Sequence, residues 1–279
     1  MVEHNILEQP QATWRLIVDP SCDGATNMAI DEAILESVGR GESMPTLRLY
    51  RWQPACLSLG YAQPAADADR ERLAAQGWDI VRRMTGGRAI LHTDELTYSV
   101  ALPTSHPLVE GSIPDSYRRL SSALLAALLH IGLDAHADKQ ERRSAPVGPV
   151  CFEVPSNYEI TAEGKKLIGS AQVRKANAAL QHGSLPLYGD VSRICEVLFF
   201  ADEAARQKAR ERVLRRATTL SEALHRTVEW DEAAQAVIES FAATFAISFV
   251  EGSLSPAEML RAEVLRISQY AAQAWTQKL

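Results

Sequence analysis

The stretch "VRRMTGGRAILHTDELTYSVAL", residues 81 to 102, decides the class of fold. It begins as a strand that ends in two arginines, turns at Gly86-Gly87, and continues as two further strands. The last strand places every second residue on one apolar face, which is typical of a strand that packs on a core. The residues of that face are Leu96, Tyr98, Val100 and Leu102.

Strand patterns also flank this stretch, at "TLRLYRW", "CLSLGY", "KKLIGSAQVRK" and "ALQHGSLPL". Helical periodicity predicts an amphipathic helix from Asp115 to Ile131, and most of the chain after Asp190 is predicted to be helical. Gly39 is predicted to cap an earlier helix, and Ser255 to begin the last one. Because strands cluster in the first two thirds, we predict an α+β fold with mixed or antiparallel sheets flanked by helices.

The composition is that of an ordinary globular protein, with 46% hydrophobic and 23% charged residues in a chain of 279. A net charge of −6 argues against nucleic acid as the main partner. No apolar run approaches the ~18 residues that a membrane span requires, and the N-terminus lacks the apolar core of a signal peptide. We therefore expect a soluble cytoplasmic protein without a nucleic-acid or membrane partner.

The four cysteines are Cys22, Cys56, Cys151 and Cys195, and their spacing predicts neither a zinc site nor, in a reducing cytoplasm, disulfides. Cys151, in "GPVCFEVPSNYEI", follows a Gly-Pro turn at the end of a long charged segment, where a side chain can be exposed. It is a candidate nucleophile, although a cysteine is more often a small packing residue. Cys22, in a loop, is its main rival, whereas Cys56 and Cys195 lie in apolar segments typical of a core.

A lysine pair follows in "GKKLIGSAQ", residues 164 to 172. On a strand Lys165 and Lys166 point to opposite faces, and alternation places Lys166 with Ile168 and Ser170. The pattern does not decide which face lines a pocket, and solvated lysines at a hairpin end are the alternative. A lysine close to a thiol would stabilise the thiolate and lower a pKa that starts near ~8.5.

Gly86 and Gly87 can direct several backbone N–H groups to one point, which suits a carbonyl oxygen, a carboxylate or a phosphate. A plain Gly-Gly hairpin with solvated arginines is the alternative interpretation. His92 and His182 could each serve as an acid–base group, but a hydrogen-bonded structural histidine is the interpretation that we favour for both.

In their order along the chain, these motifs resemble the lipoate–protein ligase A / biotin ligase catalytic-domain superfamily, from about Trp14 to about Val250. A "CFE-PS-YE" segment before the lysine strand is similar to the octanoyl-[acyl-carrier-protein]:protein N-octanoyltransferases. The resemblance implies a biotin/lipoate protein ligase-like catalytic domain over residues 1 to 250. Residues 251 to 279 would form a C-terminal helical extension packed on it.

The resemblance also implies an activity. Cys151 would attack the octanoyl thioester of octanoyl-acyl carrier protein, and a lysine of a lipoyl domain, such as that of glycine cleavage H protein, would take the acyl group as an amide. Lys166 would lower the pKa of the cysteine. No cofactor and no metal are expected. The predicted substrate-binding residues are Arg83, Gly86, Gly87, Arg88, Ala89, Ile90, Leu91, His92, Ser170 and His182.

Three alternatives stay open. An ATP-dependent lipoate–protein ligase would use the same Gly-Gly loop and Lys166 with ATP and Mg, and would leave Cys151 idle. An amidotransferase would move octanoyl between lipoyl domains through the same cysteine, and a non-catalytic binding protein would use it only for packing.

Docking of acidic protein partners on this acidic chain needs local basic patches, for which Arg82, Arg142, Arg143 and Lys175 are the candidates.

Overall fold

The computed structural model describes residues 12–138 and 159–279. Cys151, Arg142 and Arg143 lie outside the described residues, as does most of the predicted charged segment. The strands are β1 (Ala12–Val18), β2 (Thr46–Tyr50), β3 (Cys56–Leu59), β4 (Asp79–Arg82), β5 (Ile90–His92), β6 (Glu95–Pro103), β7 (His136–Asp138), β8 (Glu159–Ala162), β9 (Lys165–Lys175), β10 (Ala178–Pro186) and β11 (Ile247–Glu251).

Two sheets organise these strands. The large one has the order β11-β1-β2-β6-β10-β9-β8-β7, and the small one has the order β4-β3-β5. In the large sheet β1 runs parallel to β2 and β11, whereas the pairs from β2 to β7 are antiparallel. The predicted mixed α+β architecture is therefore confirmed. Residues 136–138, predicted within the charged segment, instead form the edge strand β7.

Helices cover both faces of the large sheet. They are α1 (Gly24–Gly39), α2 (Arg70–Gln76), α3 (Ile113–His130), α4 (Glu203–Arg216), α5 (Leu220–Leu224), α6 (Trp230–Phe245), α7 (Pro256–Leu265) and α8 (Gln273–Thr276). One core lies between the sheet and the pair α3 and α6, and a second lies between the sheet and the pair α1 and α7. The neighbours Val100 and Ala101 of β6 belong to different cores, because successive residues of a strand face opposite sides.

The predictions that depend on residues close together in the sequence are confirmed for β6 and α7. The predicted apolar face of β6, from Leu96 to Leu102, is buried in the first core. Helix α7 begins at a Ser255 cap that accepts a hydrogen bond from the Glu258 N–H, as predicted. Within the two described ranges, no helix has the length and apolar character needed to cross a membrane.

The predicted cap at Gly39 is wrong, since Gly39 is the last residue of α1 and Arg40 follows as its C-cap. A Cβ at Gly39 would come 1.8 Å from the carbonyl oxygen of Ala176, so glycine is needed here for close packing rather than for a turn.

Helices α7 and α1 contact each other across the second core. The division of the chain at residue 250 stays a prediction.

Candidate active site

A cavity lies between the large sheet, the small sheet and the Gly-Gly loop. Apolar side chains such as Met28 and Trp52 contribute to its wall. Seven of the predicted substrate-binding residues line it, which brings together parts of the chain that are far apart in sequence. They are Arg83, Gly86, Gly87, Ile90, His92, Ser170 and His182.

Arg88, Ala89 and Leu91 do not line this cavity. Ala89 and Leu91 face the core of the small sheet, because alternation along β5 turns only Ile90 and His92 to the cavity. The Arg88 guanidinium lies 4.0 Å from the Asp67 carboxylate. Substrate contact by any of the predicted residues stays a prediction.

The Gly-Gly loop is held by buried arginine rather than by solvent-exposed turn residues. Arg83 donates from Nη2 to the carbonyl oxygens of Gly86 and Arg88, at 2.8 Å each. Gly87 has a φ of +96°, which favours glycine. A Cβ at Gly60 would lie 1.9 Å from the Gly87 carbonyl oxygen, so the loop also packs tightly against its neighbour. The alternative with solvated arginines is wrong, since Arg82 and Arg83 are both buried.

The prediction that Arg82 belongs to a docking patch is wrong for the same reason. Its guanidinium donates hydrogen bonds to five backbone carbonyl oxygens, belonging to Gly60, Tyr61, Gln63, Trp275 and Thr276. Arg82 thereby ties the C-terminal segment to the loop beneath the Gly-Gly turn. Of the other candidates, Lys175 is half exposed and forms an ion pair with Glu32.

Two histidines of the cavity wall form buried pairs with carboxylates, and His182 is the first. Its Nδ1 lies 3.1 Å from Asp31 Oδ2, and its Nε2 lies 2.7 Å from the hydroxyl of Thr85, the residue before Gly86. Burial and the nearby charges of Arg83 and His92 lower the pKa of His182, against the opposing effect of Asp31. Burial alone would raise the pKa of Asp31, but the His182 hydrogen bond and the Arg48 charge outweigh it and lower that pKa. The imidazole thus links α1 to the Gly-Gly loop.

His92 forms the second pair, with Nδ1 at 2.7 Å from Glu95 Oε1 and Nε2 at 2.8 Å from the Ser58 hydroxyl. The ring stacks on Trp52, with 3.9 Å between ring centroids. The sequence interpretation missed both carboxylates. For Asp31 the available signal was an acid within the apolar helical run "MAIDEAIL", where a charge needs a buried partner.

Lys166 is buried, and its Nζ lies 2.6 Å from the Glu159 carboxylate. A bulge between β8 and β9 pairs Thr161 with Lys166 but Ile160 with Ile168. A Cβ at Gly169 would meet the Lys166 Cε at 3.2 Å and Nζ at 3.6 Å. Lys166 therefore lies on the same side of the strand as Gly169. The predicted placement of Lys166 with Ile168 and Ser170 is wrong, because the bulge adds one residue and breaks the alternation.

The bare backbone of Gly169 is also part of the cavity wall. Glycine is the residue that allows a lysine side chain to lie against this position without a methyl group between them. The ammonium of Lys166 is thus placed directly beside the cavity without lining it. The structure does not describe Cys151, so its distance from this ammonium stays a prediction.

Cys22, the rival nucleophile, is half-buried in a loop. Burial raises the pKa of its thiol, and the nearby carboxylates of Asp19 and Asp23 raise it further, against the opposing charge of Arg48. A raised pKa disfavours the reactive thiolate. Cys56 and Cys195 are buried, as predicted. Among the described residues no three His, Cys, Asp or Glu side chains form a group that could hold a metal ion.

This fold, with a glycine loop closing a cavity beside a buried lysine, defines a catalytic domain of the lipoate protein ligase class. Residues 23–242 match the family described as the lipoyl protein ligase A/B catalytic domain, and the chain belongs to that family. It is 42% identical over 272 residues to "Octanoyltransferase LipM" of Moorella thermoacetica, covering 96% of this chain and 99% of that protein. The protein of the same name from Kyrpidia tusciae is 40% identical, over 94% and 98% of the two chains.

Solved structures agree with the fold. A bipartite lipoate protein ligase from Thermoplasma acidophilum, described with its E2 lipoyl domain, superimposes with a TM-score of 0.81 and 25% identity, over 96% of this chain and 98% of that one. A lipoate-protein ligase A crystallised with ATP has a TM-score of 0.77 and 26% identity, over 96% and 98% of the two chains. The catalytic-domain fold implied by the sequence is confirmed.

Proposed function

We propose that this chain is an octanoyltransferase of lipoate biosynthesis, which transfers an octanoyl group from octanoyl-acyl carrier protein to a lysine of a lipoyl domain. Relatives named octanoyltransferase, 36% to 42% identical over nearly the whole chain, support an acyltransferase. The observation within the molecule that supports it is the buried Lys166 ammonium, held against the cavity wall at Gly169. The cytoplasm is the proposed location.

In the first step the Cys151 thiolate attacks the thioester carbonyl, the bond to the carrier sulfur breaks, and the carrier leaves as a thiol after taking a proton. In the second step the neutral amine of the acceptor lysine attacks the new thioester. Its surplus proton is released, an amide forms, and the Cys151 thiolate is regenerated. Splitting one protein-to-protein transfer in this way is the usual advantage of a covalent intermediate.

Lys166 supports this chemistry through its charge. A cation beside a thiol favours the thiolate and so raises the fraction of reactive nucleophile at neutral pH. The Glu159 carboxylate at 2.6 Å offsets the cost of burying the ammonium, which would otherwise be several kcal/mol. We propose that Lys166 acts on the sulfur of Cys151 from the side of Gly169.

The cavity suits the acyl chain. Met28, Trp52 and Ile90 contribute apolar surface, and the backbone of the Gly-Gly loop closes one side. Apolar burial stabilises a bound alkyl chain by ~0.8 kcal/mol for each CH₂ group. Because a thioester is exchanged for a thioester and then converted to a more stable amide, we propose that the reaction requires neither ATP nor a metal.

The decisive experiment measures the intact mass of the protein after incubation with octanoyl-acyl carrier protein. We expect one octanoyl adduct on the unaltered protein, no adduct on Cys151→Ser, and an unchanged adduct on the control Cys22→Ser. Adding a lipoyl domain should discharge the adduct and octanoylate that domain.

Other outcomes identify the alternatives. Octanoylation that needs ATP and persists in Cys151→Ser would make the protein a ligase. An adduct formed only from an octanoylated lipoyl domain would make it an amidotransferase. No adduct and no transfer from either donor would leave a binding protein.

A further inference from the structure

One row of residues, which we call the cross-strand row, runs across the large sheet along the cavity. Gly169 of β9 pairs with Ser184 of β10, which pairs with Thr97 of β6. Thr97 pairs in turn with Tyr50 of β2. All four residues line the cavity. Because neighbouring strands lie ~4.8 Å apart, Thr97 is two strand spacings, or about 10 Å, from Gly169.

The hydroxyl groups in the middle of the cross-strand row are paired within the protein. Those of Ser184 and Thr97 both donate hydrogen bonds to the Glu95 carboxylate, which also lies 2.7 Å from His92 Nδ1. A polar group that already has its partner loses nothing when an apolar ligand covers it, whereas an unpaired one would be strongly destabilising. The row can therefore lie beneath an alkyl chain.

The Trp52 indole is anchored on Thr97, at the far part of the row. Its Nε1 donates to the Thr97 hydroxyl at 2.8 Å, and the ring stacks on His92 with 3.9 Å between centroids and 9° between planes. The next residue, Gln53, donates its backbone N–H to the Cys22 carbonyl oxygen at 3.0 Å. Trp52 is buried as well as part of the cavity wall, so its indole cannot turn aside without breaking these contacts.

We infer that Trp52 is the end wall of the acyl site and sets the longest acyl chain that the cavity accepts, an inference that rests on the proposed function. In that function the acyl carbonyl lies beside Lys166, at Gly169. With C–C bonds of ~1.5 Å at tetrahedral angles, an extended chain advances ~1.3 Å per carbon, so the carbons beyond the carbonyl of an octanoyl group span about 9 Å. That length reaches Thr97 and the indole, and a longer chain would meet Trp52.

The test compares two chain lengths in one sample. The enzyme is offered an equimolar mixture of octanoyl- and decanoyl-acyl carrier protein, and the ratio of the two adducts on Cys151 is read from the intact mass. This ratio does not depend on how much of the sample is folded. We expect the octanoyl adduct to predominate on the unaltered protein.

The variants are Trp52→Leu, which removes the indole, and the milder Trp52→Phe, which keeps a ring to stack on His92. Burial of an alkyl chain favours binding by about fourfold for each CH₂ group, or about fifteenfold for two. We therefore expect the ratio of decanoyl to octanoyl adduct to rise by about tenfold or more in Trp52→Leu, and by less in Trp52→Phe.

Trp14→Leu is the matched control, because it makes the same change at a fully buried tryptophan of the first core. Trp14 stacks on Phe245 and does not line the cavity. We expect this variant to lose stability, since a large core side chain is removed, but to keep the adduct ratio of the unaltered protein.

A binding measurement tests the end wall without any transfer step. Free octanoate and decanoate are titrated by calorimetry into Cys151→Ser and into Cys151→Ser/Trp52→Leu. We expect the first protein to bind octanoate more tightly than decanoate, and the added Trp52 substitution to reverse that preference.

Each contrary result has a distinct meaning. An unchanged adduct ratio in Trp52→Leu would overturn the inference and leave the proposed function intact, and so would equal loading of the unaltered enzyme with both chains. An equal rise in Trp14→Leu would overturn it by showing that any loosening of the protein admits longer chains. If the unaltered enzyme loads neither chain, the proposed function is contradicted, and the calorimetric preference decides whether Trp52 is an end wall.

Discussion

The Lys166 ammonium and the Glu159 carboxylate form a buried ion pair, with 2.6 Å between Nζ and Oε1 and side-chain exposures of 4% and 5%. The pair joins β9 to the start of β8, the strand that follows the segment containing Cys151. It keeps a positive charge at the cavity wall in a place where an unpaired charge would be strongly destabilising. The pair is therefore both a structural element and part of the candidate catalytic machinery.

Substitutions at this pair should separate the two roles. Glu159→Leu alone leaves a buried ammonium without this carboxylate, and we expect the free energy of unfolding to fall by about 3 to 5 kcal/mol. The double variant Glu159→Leu/Lys166→Met should recover most of that loss, because it removes both charges. Urea unfolding of the single and double variants measures the recovery.

If Lys166 has its proposed role, the recovered double variant should still be inactive, since it lacks the ammonium proposed to stabilise the thiolate of Cys151. Alkylation of Cys151 at neutral pH, followed by peptide mapping, should be slower by about tenfold for each pKa unit gained. Cys22 serves as an internal reference within the same sample. Unchanged alkylation of Cys151 in the stable double variant would show that Lys166 does not act on the sulfur.

Gly60→Ala should disrupt the Gly-Gly loop. The added Cβ would lie 1.9 Å from the Gly87 carbonyl oxygen, which is backbone and cannot move away without shifting the loop. We expect a loss of about 1 to 3 kcal/mol in stability and a larger loss of octanoyl transfer. Gly86→Ala is the control, because its Cβ meets nothing within 4 Å, and its melting temperature should be nearly unchanged. Equal melting temperatures for both variants would contradict the described packing.

Arg82→Lys should weaken the link between the C-terminal segment and the loop at residues 60–63. A lysine ammonium has three donors and cannot replace a guanidinium that contacts five carbonyl oxygens. We expect faster hydrogen exchange in the peptides that contain residues 60–63 and 83–88, with exchange in α3 unchanged. A uniform increase over the whole chain would show general destabilisation and no specific link.

The Glu258 carboxylate should make the docking of α7 depend on pH. Its two oxygens accept hydrogen bonds from Arg15 at 2.7 Å each. These bonds, with those from Ser255 and Ser43, outweigh burial and lower the pKa of Glu258 from 4.5 to about 2. Since the unfolded chain protonates this group first as pH falls, its contribution is complete well above pH 4.5 and is lost as pH falls through about 2.

We therefore expect Glu258→Gln to be less stable than the unaltered protein near pH 7, and the difference to shrink steadily below pH 4.5. Urea unfolding at several pH values measures that difference. A difference that is constant between neutral and strongly acidic pH would show that the ionised form of Glu258 is not what anchors α7.

The candidate site was only partly predictable from sequence. The motifs indicated the Gly-Gly loop and the lysine strand, and seven of the ten predicted binding residues line the cavity. Alternation misassigned the face of Lys166, because a bulge adds a residue to β9 that no local pattern revealed. The same limit applies to Arg82, which looked like a surface residue because its carbonyl partners come from two distant segments.

The sequence by itself determined the elements whose formation depends on neighbours along the chain. The turn at Glu163-Gly164 depends on a glycine that accepts a positive φ, and the Ser255 cap of α7 depends on a local hydrogen bond to the Glu258 N–H. Only the tertiary structure decided which buried polar side chains form pairs. Asp31 and His182 lie 151 residues apart in the sequence. Their contact depends on how whole helices and strands pack, which the hydrophobic periodicity of each element does not predict.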